Sequence, residues 1–277
     1  MSASPEPLLV IVPPKRWAVI NFREVVEFRD LLVRFAIRDL KLRYRQTALG
    51  VVWVVLQPLL SAGVFSFIFG KVANFPSDGV PYFAFSFAGM LAWNVFSGTL
   101  NKVSGSLVGN SQLVSKIFFP RLVLPLSMLS STLVDFGVAL ILMAVICVIV
   151  GVWAGVALVL LPFWLLLVVL LSLGLGLMCA ALMVSYRDVG YILPVVAQVL
   201  LYGSPVAYGL AALPEGSRRW FQLNPLTGAL EGFRWGLLGT ARPTTFAVLW
   251  SVACAIVVFG AGASVFAKME RKFADVI

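Results

Sequence analysis

Histidine is absent from the 277 residues. That removes the commonest general base and the commonest metal ligand. Charge is scarce: Asp, Glu, Lys and Arg make up 12% of the chain, against about 25% in soluble domains. The three cysteines, Cys147, Cys179 and Cys254, lie inside apolar runs and form neither a CxxC pair nor a disulfide framework. Nucleotide motifs are missing too. Gly63 and Gly70-Lys71-Val72 have six residues between the glycines where a phosphate loop has four, and Val72 stands where Ser or Thr would hold magnesium. Gly174-Leu175-Gly176 lacks the third glycine and the preceding strand of a dinucleotide site, and close helix packing through small residues accounts for it. No metal or catalytic residue is indicated, and any ATP and Mg must be bound by a separate chain. No secretory signal peptide is expected, because Leu8 to Val12 is too short and Pro13-Pro14 ends it.

What the chain has is hydrophobic length. It is 61% hydrophobic, with a mean hydropathy of +0.99, which places it in a membrane. The runs predict an all-α integral membrane protein with six spans: Leu49 to Gly70, Tyr82 to Leu100, Leu126 to Val150, Val156 to Val184, Val189 to Leu210 and Thr244 to Ala267. Pro58 interrupts the first, and Pro194 and Pro205 interrupt the fifth. Between the last two, Asn224-Pro225 reads as a helix cap followed by proline at the first helical position. The apolar helix after it, Leu226 to Leu238, is too short to span and suits a re-entrant segment.

Three regions follow: a Pro-rich tail over 1–20, an amphipathic interface helix over 21–45, and the six-span domain over 46–277. In the second, Arg23, Glu27, Asp30, Arg34, Arg38 and Lys41 recur at spacings of three and four and share a face. Such a helix can lie among lipid headgroups or be a solvated face leading into an ordinary span. The net charge of +9 is explained by span flanks, without nucleic acid. With both termini inside, sixteen basic residues fall on the cytoplasmic side and five outside, as the positive-inside rule requires.

Asp135 is the only carboxylate of the third span. It is either functional, as intramembrane acids tend to be, or a boundary residue of a span drawn from Leu133 to Trp153. Phe65 and Phe69, like Phe83 and Phe87, are spaced i, i+4 and can form stripes, for packing or for stacking on sugar rings. Outside, Arg218, Arg219 and Arg234 suit phosphate contact. Glu231 precedes Arg234 by three residues and can pair with it on one helix face.

Four stretches together resemble the membrane subunits of type-2 ABC exporters, specifically the polysaccharide, O-antigen and teichoic acid export permeases. They are Arg38-Asp-Leu-Lys-Leu-Arg-Tyr-Arg45 with Leu49-Gly50, Trp53 and Pro58; Leu113 to Pro120; Tyr186-Arg187-Asp188 followed by Gln198 and Ser204-Pro205-Val206; and Asn224-Pro225 with Arg234. The resemblance implies a homodimer of this chain with two ATP-binding subunits in a bacterial cytoplasmic (inner) membrane, exporting a lipid-linked polysaccharide. It makes Ser111 to Phe119 a coupling helix that docks on the ATPase, through Ser111, Leu113, Lys116 and Phe118. It also makes the segment near 211–243 re-entrant. The substrate path is then expected to involve Trp53, Phe65, Phe69, Tyr202, Arg218, Arg219 and Arg234. A membrane-embedded transferase would need an acid or histidine cluster with metal geometry. An ion-coupled carrier would need repeated broken helices and paired charges. Neither pattern is visible in the sequence.

Overall fold

The computed structural model describes residues 22–45, 50–117, 119–152, 155–270 and 273. The tail over 1–20 and Phe118 lie outside them. The stretch expected to be one amphipathic helix is two, α1 (Phe22–Glu27) and α2 (Arg29–Arg45). Helix α3 (Gly50–Phe65) runs through Pro58 and widens into a π-helical turn, Ser66–Val72. Then come α4 (Tyr82–Gly105), the short α5 (Ser111–Lys116), α6 (Val123–Val150) and α7 (Leu161–Ser185). The chain ends with α8 (Val189–Tyr202), α9 (Glu215–Gln222), α10 (Pro225–Leu238) and α11 (Thr245–Met269).

Among the described residues, five helical stretches are long and apolar enough to cross a membrane: Val52–Val72, Tyr82–Gly105, Val123–Val150, Val156–Ser185 and Thr245–Met269. The sixth apolar helix, α8, has only 14 residues. At 1.5 Å per residue it covers about 21 Å, short of the roughly 30 Å of hydrocarbon. The expected span to Leu210 is therefore helical only to Tyr202, and the chain continues as non-helical backbone. Ser204, Pro205, Val206, Ala207 and Tyr208 are nonetheless buried. Irregular backbone is tolerated at membrane depth only where protein covers it, and here α4 and α10 cover it.

Helix α4 is the centre of the bundle, packed against α6, α7, α3 and α10, while α7 also packs along α11. The α7–α11 seam is close because both helices present glycine. A Cβ on Gly262 would stand 1.9 Å from the Gly174 carbonyl oxygen, and a Cβ on Gly176 would stand 2.8 Å from Val103. The Gly174-Leu175-Gly176 stretch is thus a packing surface, as its small residues predict.

Two hydrophobic cores result. The larger joins α4, α6, α7 and α10. The smaller lies at the basic end of the bundle, where Phe35 of α2 meets Val114, Phe119, Leu122, Leu177 and Phe266. Helix α3 is peripheral: only 11% of its apolar window is buried.

Candidate functional site

The end of the bundle opposite α2 is built around the break after α8. Losing the helix at Tyr202 strips carbonyls of their helical partners, and each unpaired one would be costly in an apolar setting. Side chains from three other places supply the donors. Tyr208 Oη donates to the Tyr202 carbonyl at 2.7 Å. Asn224 Nδ2 donates to the Gly203 carbonyl at 3.1 Å and to Ser204 Oγ at 2.8 Å. Arg234 Nη2 donates to the Pro205 carbonyl at 2.5 Å and to the Val206 carbonyl at 2.6 Å. Tyr82 Oη donates to the Ala207 carbonyl at 2.9 Å.

Asn224 serves twice, because its Oδ1 also accepts from Leu226 N at 3.0 Å and caps α10. Proline follows at the first helical position, and Gly239, at φ 67°, closes the helix in the left-handed conformation. The Asn224-Pro225 reading of the sequence is met, and the cap is also a clamp on the break in α8.

Arg234 is placed differently from expectation. It was expected on the substrate path, yet it is 2% exposed. Its guanidinium lies 4.3 Å from the Phe85 ring centroid, a cation–π contact. Among the described residues its Nε and Nη1 have no hydrogen-bond partner. The expected pairing with Glu231 is a Coulombic neighbourhood and not an ion pair. Arg234 fixes backbone through one nitrogen, Nη2, which donates to two adjacent carbonyls.

Arg218 and Arg219 separate although adjacent, since successive helical residues diverge by about 100°. Arg218 turns back: its Nε donates to the Leu213 carbonyl at 2.8 Å and its Nη2 to the Ala211 carbonyl at 3.1 Å. Arg219 is exposed and lines an open depression of about 770 Å³ with Glu215, Trp220, Gln222 and Phe246.

The aromatic expectations are met in part. Phe65 and Phe69 are 6.0 Å apart and Phe83 and Phe87 are 6.4 Å apart between centroids. Phe69 continues to Phe75 at 5.6 Å and to Tyr208 at 6.0 Å, and Tyr208 reaches Phe221 at 6.1 Å. Trp53 and Tyr202 stay outside this cluster. Trp53 is exposed near the start of α3, and Tyr202 is exposed at the end of α8. The residues sequence reasoning missed are Tyr82, Phe85 and Tyr208. Their only signal is aromatic character, which is common throughout this chain.

At the basic end, α5 sits on the smaller core. Val114 is buried and Leu113 packs against the core, while Lys116 is exposed and Ser111 half-buried. Arg38 Nη2 donates to Asn110 Oδ1 at 2.6 Å, immediately before α5. Phe119 meets the edge of Phe35 at 5.7 Å. Arg121 N donates to Glu270 Oε1 at 3.1 Å, tying the end of α11 to the same platform.

Asp135 is paired. Lys102 Nζ lies 3.3 Å from Asp135 Oδ2 and donates to Ser131 Oγ at 2.8 Å. Both side chains are about a quarter exposed, 26% for Lys102 and 22% for Asp135. Removing one partner strands the other, so Lys102→Met or Asp135→Leu should each cost about 1–3 kcal/mol, while the double variant recovers most of the loss. Thermal unfolding of the purified variants in detergent checks this; additive losses would show that the pair is energetically idle. Among the described residues no three Asp, Glu, Cys or His side chains gather as metal ligands.

The arrangement is that of a multi-pass membrane protein with a basic end at α2 and α5 and a capped helix break at the other. The chain matches the ABC-2 type transporter family over residues 31–238, and it belongs to that family. It is 29% identical over 257 residues to the O-antigen export system permease protein RfbA of Myxococcus xanthus, covering 92% of this chain and 98% of that protein. A protein of the same name from Klebsiella pneumoniae is 26% identical over 250 residues, covering 90% and 95%. The polysialic acid transport protein KpsM of Escherichia coli is 24% identical over 202 residues, covering 70% and 76%.

Proposed function

We propose that this chain is the permease subunit of an ATP-driven polysaccharide exporter of a bacterial inner membrane. Two copies assemble with two ATPase subunits, both termini are cytoplasmic, and the cargo is a lipid-linked glycan. The observation that carries this reading is similarity to O-antigen export permeases along nearly the whole length of both chains. The polysialic acid transport protein, more distant, widens it from O-antigen to polysaccharide in general.

The geometry supports a division of labour. With the positive-inside rule, the platform of α2 and α5 faces the cytoplasm. Ser111, Leu113 and Lys116 then offer the ATPase a short helix whose base is held by Arg38, Phe35 and Phe119. Force applied at α5 passes into the core shared by α4, α7 and α11. Helix α3, mostly uncovered, and α8, with Tyr191, Ile192, Val195 and Val199 exposed, are the faces left for the second copy and for the glycan. Outside, Arg219 is the arginine available to a phosphate on the lipid end, beside Trp220 and Phe246.

The reading is tested by co-expression with its ATPase and purification in lipid. The complex should co-purify, and Lys116→Glu should weaken association or uncouple hydrolysis from export by about tenfold while the permease still folds. A chain that purifies alone, with an unchanged surface glycan when its gene is deleted, would overturn it.

A further inference from the structure

Beside the Lys102–Asp135 pair lies a polar cleft of about 200 Å³ inside the spans. Three helices wall it, each at helical spacing: Val54, Gln57 and Pro58 of α3, Asn94, Gly98 and Asn101 of α4, and Thr132, Asp135 and Phe136 of α6. Such a row of amides and hydroxyls is unusual in a membrane span. Polar residues there face a water-filled cavity or a polar partner.

Their internal bonding leaves capacity unspent. Asn101 Nδ2 donates to the Ser97 carbonyl at 2.8 Å. Gln57 and Asn94 have no side-chain hydrogen bond among the described residues. Thr132 is 3% exposed, and its Oγ1 is buried with no partner. It faces Gly98, where an added Cβ would stand 3.3 Å from Thr132 Cγ2. Unmet amide and hydroxyl groups are costly in an apolar setting, so the cleft is organised for a ligand or water that hydrogen-bonds.

The chemistry narrows the ligand. The one carboxylate and the one ammonium compensate each other at 3.3 Å, which disfavours a free anion or cation. Amides that both donate and accept suit adjacent hydroxyls. Pro58, Val54 and Phe136 supply apolar wall for the face of a ring. We propose that this cleft is a saccharide subsite that takes one neutral sugar residue between α3, α4 and α6, with Gln57, Asn94, Asn101 and Thr132 as its hydrogen-bonding groups. It rests on the polysaccharide reading above. It adds a holding point in the basic-end half of the bundle, where α4 approaches its last turn.

A photo-crosslinking phenylalanine analogue placed at Asn94, in cells making the glycan, tests it. Irradiation should give a heavier permease band whose acid hydrolysate contains the sugars of the exported polymer. The same analogue at Ile141, 70% exposed on α6, should give none. Gln57→Leu with Asn94→Leu removes only groups unpaired within the chain, so assembly with the ATPase should persist while export falls about fivefold or more. Full export in that variant, or no sugar in the Asn94 adduct, overturns the subsite. An adduct that survives deletion of polymer synthesis would mean that a glycolipid headgroup fills the cleft, and also overturns it. If deleting the whole chain leaves surface glycan unchanged, the exporter reading itself fails, an outcome distinct from the others.

Discussion

Replacing Arg234 with leucine is expected to lower stability by about 3–5 kcal/mol, the largest loss of any single polar substitution in this chain. The Pro205 and Val206 carbonyls would lose their donor, and the cation–π contact with Phe85 would vanish. Lysine should rescue only part, because an ammonium can reach the two carbonyls but cannot lay a planar guanidinium over the Phe85 ring. Gly89→Ala attacks the same joint from the other side. Its Cβ would stand 2.0 Å from the Val206 carbonyl oxygen and 2.8 Å from Arg234 Nη2. Because both substitutions act on one contact, their combined loss should be smaller than the sum. Thermal unfolding in detergent with tryptophan fluorescence measures the single variants and the double variant. An Arg234→Leu protein that melts like the parent would show that the break in α8 is held by something other than its side-chain donors.

Gly262→Ala is expected to lose about 1–3 kcal/mol from overpacking. The α7–α11 seam has no room for a methyl group there, since the Gly174 backbone, not a movable side chain, occupies the space. Gly260, two residues earlier on the same helix, has nothing within 4 Å of its Cβ position. Gly260→Ala should therefore be neutral, or gain up to about 1 kcal/mol from helix propensity. The pair isolates close packing from propensity. Equal melting temperatures for the two variants would sink the seam as a point of close approach.

How legible this was depends on the range of the interaction. Apolar runs long enough to span a membrane are visible one segment at a time, and α3, α4, α6, α7 and α11 were readable in that way. The Asn224-Pro225 cap was readable because capping is local. The end of α8 was not. Pro205 marks an interruption of Val189 to Leu210, but the helix also passes through Pro194, so proline alone does not say that the backbone leaves the helix at Tyr202. The reason is held by Tyr82, Asn224 and Arg234, up to 125 residues away. Arg218 and Arg219 carry the same chemistry in sequence and differ only in direction once α9 forms. Asp135 could not be assigned without Lys102, 33 residues earlier on another helix. The stretches that carried the resemblance prove to be partners, since Ser204-Pro205-Val206 is the segment that Asn224 and Arg234 grip.

The grip has a consequence for biosynthesis. The chain leaves the ribosome from its N-terminus, so α8 reaches the membrane before the residues that complete its far end exist. When Tyr202 emerges, Tyr82 already exists, and Tyr208 follows within a few residues. Asn224 and Arg234 are still 22 and 32 residues behind. Until α10 arrives, the Gly203, Pro205 and Val206 carbonyls must stay with water or the translocation machinery, because lipid offers them no donor. Burial of the segment that follows α8 away from water therefore waits for the arrival of α10.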